Sequence, residues 1–343
     1  MTSPTLADVA REVGVSRTTV SNAYNRPDQL SPTLRARILD AAERLGYPGP
    51  DPLARSLRRG RTGTVGLVVD KPLSYLFTDP AIREFLIGIT TVLDDADSSL
   101  VLLPRLLDDA GATVLANAAV DGFVSICDAH NAERVQALMV RHLPFVVVDG
   151  VASAAACRVG IDDRGASRGA VEHLLALGHR SIGVAALPRR PGDRGPRRFP
   201  VTAARLAGIR DGLEGAGLSW SDVPVWAVPD DITPRASGRE AGAALLDLPE
   251  APTGIVCLSD EVAAGVLDAA ADRGMAVPGD VSVVGFDDTS TALTTTPPLT
   301  TVHQPLAAKG EAAARLLLDG APTTDLVLPT ELMVRGTTGP PPA

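Results

Sequence analysis

The chain has 343 residues, 45% of them hydrophobic and 21% charged, and a formal net charge of −9. At about 100–200 residues per domain this predicts two or three domains with ample core. With no run of about 18 uncharged apolar residues a membrane span is excluded, and the acids within the first thirty residues argue against a secretory signal. Cys127, Cys157 and Cys257 form no C-x-x-C pair, so the expectation is reduced cytoplasmic thiols, with no disulfide framework, metal site or cofactor.

Charge is spread unevenly. Residues 1–61 hold ten arginines and six carboxylates, a net +4, which leaves −13 on the remainder. A basic head on an acidic body directs the head alone at a polyanion. Within the head, TLADVAREV places Thr5 as an N-cap and Asp8 three residues on, a capping box opening a first helix. Gly14 ends it in a turn that requires positive φ. Ser16 caps a second helix through Tyr24. Ser31 and Pro32 open a third, with Leu34, Ile38, Ala41, Ala42 and Leu45 on one stripe. Two helices joined by a tight glycine turn form a helix-turn-helix unit. Val15, Val20 and Ala23 are expected inward, leaving Arg17, Thr18, Ser21 and Asn22 outward, where they can reach base edges and phosphates in a major groove. A solvated surface helix would explain the second helix alone, but not the turn, the third helix and the charge split together.

The segments TLADVAREVGVSRTTVSNAYN, SPTLRARILDAAERLGY and DPLARSLRRGRTGTVGLVV closely resemble the amino-terminal head of the lactose/galactose repressor family. The resemblance implies base reading by Arg17, Thr18 and Asn22. Arg17 suits a guanine, Thr18 a thymine methyl and Asn22 an adenine. It also implies that Thr5, Ser16, Thr19, Ser21, Asn25 and Tyr47 orient the head (residues 1–47) on phosphates.

Residues 48–61, PGPDPLARSLRRGR, are too short for a domain. Asp51 and Pro52 can start one or two helical turns, and such a piece does not hold as a helix alone in water. The resemblance implies a hinge that folds on operator DNA. Leu57 wedges into the minor groove beside Ala54, with Arg55 and Arg58 near phosphates. YPGPDPL carries one residue more between Tyr47 and this hinge than the family's usual spacing, which bears on the preferred operator spacing.

From residue 62 onward, apolar runs at 64–70, 99–105, 121–126, 144–149, 181–186, 223–228, 254–258 and 281–287 alternate with helical stretches at 79–95, 131–142, 163–178, 202–217, 234–247 and 259–274. Continuous Val/Leu/Ile strands between helices predict parallel sheets covered on both faces. Two rounds make two lobes, 62–160 with 291–321 and 161–290 with 322–335; residues 336–343 are expected to be a disordered tail. The fold class is therefore α/β: a small all-α helix-turn-helix head and a two-lobed, doubly wound parallel-sheet domain, which in the family it resembles is periplasmic-binding-protein-like.

Doubly wound lobes take ligands at the carboxyl ends of their strands. No phosphate loop, dinucleotide fingerprint, nucleophile elbow or zinc-protease motif occurs, and the five histidines are scattered. This points to binding, not catalysis. Asp149, Ser259, Asp260, Asp287 and Asp288 stand at strand ends, and Arg205 opens a helix. A carboxylate and a guanidinium facing one cleft clamp a polyhydroxylated ligand through paired hydrogen bonds. Asp162 and Asp163 read as helix N-caps. The resemblance continues in GIDDRGASRGAVEHLLALGHRSIG, ARLAGIRDGL, VPGDVSVVGFDD and LTTVHQP. It implies effector contact at Arg205 and Asp287, then at Asp149, Ser259 and Phe77, the last within KPLSYLFTDP, where the match is loose. The loop 188–200 holds five arginines, which either attract an anionic effector or stay solvated.

The reading is a repressor acting as a homodimer or tetramer on pseudo-palindromic double-stranded operator DNA, in the cytoplasm at the nucleoid. A small effector, a sugar or sugar derivative, sets its operator affinity. A nucleobase, nucleoside or anionic metabolite as effector, and an activator role, are the alternatives. A transporter's solute-binding protein would share the body but have no use for residues 1–60. An enzyme with a fused head would need a nucleophile, base or metal cluster at the cleft.

Overall fold

A computed structural model describes residues 4–49, 61–69, 72–103, 109–126, 143–150, 156–186, 200–226 and 233–343. The chain divides into two compact units, Met1–Gly63 and Thr64–Ala343.

The first unit holds α1 (Leu6–Val13), α2 (Arg17–Asn25), a 3-10 turn at Pro27–Gln29 and α3 (Pro32–Leu45). Its start signals act as read. The Asp8 carboxylate accepts from Thr5 N at 2.9 Å and Thr5 Oγ1 at 2.7 Å. Ser16 Oγ accepts from Thr19 N, and Ser31 Oγ from Leu34 N. Gly14 sits at φ +73°, a left-handed conformation that costs other residues 1–2 kcal/mol or so. Val9, Ala10, Val20, Ala23, Ile38, Ala41 and Ala42 form the buried core, with Val15 and Leu34 packed at its margin. Leu45, expected on that stripe, is exposed. It is the last residue of α3, and Gly46 at φ +69° turns the chain away there.

The second unit begins with β1 (Thr64–Val69), α4 (Tyr75–Thr78), α5 (Pro80–Asp95), β2 (Ser99–Leu103), α6 (Asp109–Asn117), β3 (Gly122–Ile126), β4 (Phe145–Val148) and β5 (Cys157–Ile161). It continues with α7 (Asp163–Ala176), β6 (Ile182–Ala185), α8 (Pro200–Gly215), β7 (Val225–Trp226), α9 (Pro234–Leu246), β8 (Gly254–Cys257), α10 (Asp260–Asp272) and β9 (Ser282–Asp287). The last elements are α11 (Ser290–Thr294), β10 (Thr300–His303), α12 (Leu306–Leu318), β11 (Asp325–Leu328) and β12 (Glu331–Met333).

These strands form two six-stranded sheets, ordered β11-β5-β4-β3-β1-β2 in lobe 1 and β12-β10-β9-β8-β6-β7 in lobe 2. Every pairing is parallel except β10 with β12. All eight strands read from the apolar runs are present. The helix expected at 131–142, the hinge with Ala54, Arg55, Leu57 and Arg58, and the arginine loop up to residue 199 lie outside the described residues.

Two expectations about lobe membership are corrected. The chain crosses between lobes three times, after β5, after β10 and after β11. Strand β10 belongs to lobe 2, paired with β9 at Thr301↔Gly285, and its Thr300, Thr301 and Val302 are buried there. Strand β11 belongs to lobe 1, paired with β5 at Val327↔Gly160. Between them, α12 lies on lobe 1 against α5. The approach is backbone to backbone: a Cβ on Gly88 would lie 1.9 Å from Ala307 O, and one on Gly310 2.2 Å from Phe85 O.

The tail is also corrected. Thr337 Oγ1 accepts from Thr300 N and donates to Val283 O, while Gly339 O accepts from Ser282 Oγ and bonds His179 Nε2. These bonds satisfy backbone and side-chain groups along β9 and β10, so residues 336–339 are part of lobe 2. Among the described residues no helix is long and apolar enough to cross a membrane.

Candidate DNA-reading surface and effector cleft

On α2 the inward residues Val20 and Ala23 are fully buried, whereas Arg17 and Thr18 are exposed and Ser21 and Asn22 half-buried. Asn22 Nδ2 donates to Gln29 Oε1 on the 3-10 turn at 3.2 Å. Asn25 Nδ2 donates to Ser21 O and Ser21 Oγ, so these two expected phosphate contacts are held by one another. Thr5, Ser16 and Thr19 lie at helix starts, where free backbone N–H groups favour an anion. The Ser16 and Thr19 hydroxyls are 2.8 Å apart. Tyr47 packs edge-on to Tyr24, ring centroids 6.2 Å apart, and burial pushes both phenols above their ordinary pKa.

In the second unit, a chain of charged and polar side chains joins the carboxyl ends of both sheets. Arg205, on the second turn of α8, is 5% exposed. Its Nε donates to Asp163 Oδ1 at 2.8 Å and its Nη1 to Leu258 O at 2.6 Å. Nη1 also stands 3.5 Å from Asp287 Oδ1, and the guanidinium lies over the Phe286 ring at 3.5 Å. Asp287, at the end of β9, accepts from Gln304 Nε2 at 2.5 Å. Gln304 Oε1 accepts from Lys309 Nζ, and Lys309 donates at 2.6 Å to Asp149 Oδ1 at the end of β4. Gln304 sits in the β10–α12 crossing, so the two lobes are tied through it. Asp149 and Asp287 both adopt positive φ, +54° and +120°, uncommon for non-glycine residues and frequent at binding sites.

Burial raises the carboxyl pKa of Asp163 and, well above the ordinary range, that of Asp287; Arg205 opposes the rise in both. For Arg205 burial disfavours the charge, but Asp163 and Asp287 more than restore it. Asp79, the N-cap of α5, lies within electrostatic reach of Asp287. The cleft therefore gathers Asp79, Asp149, Asp163 and Asp287 around two cations, Arg205 and Lys309.

The other expected site residues stand apart from this chain of contacts. Ser259 caps α10, its Oγ accepting from Val262 N. Phe77 is 66% exposed on α4. Asp260 braces lobe 2, accepting from Thr289 N and from the Thr289 and Thr301 hydroxyls. Asp288 binds Arg335 and His303. Asp162 caps α7 as read, through Gly165 N. Asp163, expected as a second cap, is instead the buried partner of Arg205.

Residues 5–49 match the family of bacterial regulatory proteins of the lacI type, and residues 171–338 match the periplasmic binding protein-like domain. An HTH-type transcriptional regulator of Mycolicibacterium smegmatis is 42% identical, with 99% of this chain aligned to 97% of that protein. This chain belongs to the lacI family. The regulator IpsA of Corynebacterium glutamicum is 38% identical, with 92% of this chain aligned to 90% of its own. Among solved structures, the lac repressor dimer bound to operator and the anti-inducer ONPF superposes with a TM-score of 0.78 at 26% identity, covering 98% of this chain and all of that one. A complex of the regulator CelR with cellobiose gives 0.69 at 32% identity, covering 97% and 99%. The lacI-family chain is a DNA-binding transcriptional regulator, and its named relatives are regulators rather than enzymes.

Sequence reasoning missed Lys309, Gln304, Asp163 and Phe286. Lys309 lies in an Ala-rich helix where a lysine reads as solvated. The signal available was its rarity: Lys71 and Lys309 are the only lysines in a chain that otherwise uses arginine.

Proposed function

We propose that this lacI-family regulator is a repressor that binds pseudo-palindromic operator DNA as a homodimer and answers to an uncharged polyhydroxylated effector, a carbohydrate, held between its lobes. Arg17, Thr18 and Asn22 read bases; Thr5, Ser16, Thr19, Ser21, Asn25 and Tyr47 position the head on phosphates. Leu57 and Ala54 with Arg55 and Arg58 engage the minor groove. Arg205, Asp287 and Asp149 bind the effector, with Phe77 as an apolar wall and Ser259 at the rim.

One observation carries the effector class: acidic side chains outnumber basic ones at the mouths of both sheets, and Arg205 and Lys309 are already paired. Paired acceptors suit hydroxyl groups, whereas an anion entering the same site would meet like charge. This weighs against the phosphorylated or otherwise anionic ligand that the arginine loop suggested. The cellobiose bound to a 32% identical relative supports a sugar, and the operator-bound dimer supports the DNA arrangement. Effector binding shifts a two-state equilibrium of the lobes by about 1–3 kcal/mol, the usual size of such coupling.

The test is calorimetric titration of the full chain with cellobiose, maltose, ribose and glucose 6-phosphate, paired with random-library operator selection in the presence and absence of each. Binding of a neutral sugar that alters operator occupancy is the expected result. Exclusive binding of the phosphorylated sugar would overturn the uncharged-effector reading. A sugar that binds undiminished to an Arg205→Ala, Asp287→Ala double variant would remove the clamp.

A further inference from the structure

The head contains a side-chain contact, between half-buried Asn22 and exposed Gln29, that lies outside its buried core. Asn22, in the second turn of α2, donates through Nδ2 to Gln29 Oε1. Gln29 ends the 3-10 turn that follows, is exposed, and contributes nothing to the core of the head. In the structure this bond turns Nδ2 of Asn22 toward position 29.

Direction matters for an amide because its two ends are chemically opposite. Adenine presents a donor at N6 and an acceptor at N7 in the major groove. An asparagine pairs with both only when Oδ1 faces N6 and Nδ2 faces N7. Rotated by half a turn, it sets N–H against N–H. Nδ2 carries two hydrogens. The one trans to the carbonyl oxygen suits a side acceptor, and the one cis to it then points the same way as Oδ1. With Gln29 presenting Oε1, as in the structure, Asn22 keeps the donor–acceptor pair that adenine requires.

We propose that Gln29 is a specificity-determining positioning residue, which sets the amide orientation of Asn22 and so its preference for adenine. The proposal rests on Asn22 being a base reader. A donor-only side chain at position 29 would draw Oδ1 to itself and turn both N–H groups outward, toward an acceptor pair such as N7 and O6 of guanine.

Random-library operator selection with the full chain tests this, comparing wild type with Asn22→Ala, Gln29→Ala and Gln29→Lys. The expected outcome has three parts. Asn22→Ala abolishes preference at one position in each half-site. Gln29→Ala weakens the adenine preference there about 3–10-fold, the scale of one lost hydrogen bond. Gln29→Lys moves that position toward guanine, with the other positions unchanged. If Asn22→Ala acts and both Gln29 variants keep the wild-type preference, the orienting role is wrong and base reading by Asn22 stands. If Asn22→Ala changes no position, base reading itself fails. A change confined to a different position would make Gln29 a reader in its own right, and an equal loss at every position would make it a general support; either overturns the proposal.

Discussion

Lys309 Nζ lies 2.6 Å from Asp149 Oδ1, and the lysine side chain is 1% exposed. An ammonium withdrawn this far from water persists only when its charge and donors are met. Here Asp149 supplies the countercharge and Gln304 a second acceptor. Replacing Lys309 by Met leaves Asp149 facing a sealed apolar methyl, and removal of one partner of such a pair costs about 3–5 kcal/mol. Denaturant unfolding of the full chain should show that loss. The Lys309→Met, Asp149→Asn double variant should recover part of it, because the two changes share one interaction. Additive losses would mean that the pair is not coupled.

The buried carboxyls should lose part of their stabilising contribution as pH rises through the neutral range. Burial lifts Asp260 to about 7, against the hydrogen bonds from Thr301 and Thr289 that favour its ionised form. Burial raises Asp163, Asp287 and Glu84 in the same direction. A carboxyl whose folded pKa exceeds its unfolded value near 3.8 binds its proton more tightly when folded. Its contribution is complete below that unfolded value and is lost as pH climbs through the folded one. The carboxyl contribution to the denaturation midpoint is therefore expected to be larger at pH 5 than at pH 8, against the opposite trend of His173 and His179, whose pKa burial lowers. Asp260→Asn, which has no proton to lose, should flatten that difference; an unchanged slope would show that Asp260 does not titrate in this window.

What the sequence discloses depends on how local the cause is. Thr5 with Asp8, Gly14, and Ser31 with Pro32 act within a few residues, and the head can be read from them. Long Val and Leu runs reveal strands for the same reason. Strand β5, CRVGI, escapes because Arg158 and Gly160 interrupt its apolar run. Arg158 crosses to Asp325 at 2.6 Å, a partner that only the fold supplies. The lobe membership of β10 and β11 and the seating of residues 336–339, Gly-Thr-Thr-Gly, are also decided across the chain. The cleft is divided likewise. Arg205 and Asp287 follow from their motifs, but Lys309 and Gln304 join them only because the chain crosses between lobes at that point.

The three lobe crossings place special demands on α5 and α12. Gly88 and Gly310 let their backbones touch, and a Cβ at Gly88 would fall 1.9 Å from a carbonyl oxygen that has no side-chain freedom to move. Gly88→Ala should destabilise the domain by about 1–3 kcal/mol or more, the range for overpacking. Gly169, inside α7, has nothing within 4 Å of its added Cβ. Gly169→Ala should stabilise by about 0.5–1 kcal/mol through reduced freedom of the unfolded chain. Thermal unfolding of both variants checks the pair, and equal shifts would contradict the close-approach explanation.

The proposed division of labour on the head predicts two different signatures of weakened DNA binding. Arg17 is exposed at the start of α2, free to form two hydrogen bonds with one base edge. Arg17→Ala should cost about 1–3 kcal/mol at the cognate base pair in each half-site and relax the preference there. Tyr47 is held against Tyr24, away from that turn of helix, and its hydroxyl suits a backbone phosphate. Tyr47→Phe keeps the ring contact and removes only the hydroxyl, so it should weaken binding to all sequences by one common factor. Affinities for a selected operator and for single-base variants of it, measured at fixed salt, separate the two cases. If Arg17→Ala lowered every affinity by the same factor, Arg17 would be a phosphate contact, and the reading surface would shift toward Thr18 and Asn22.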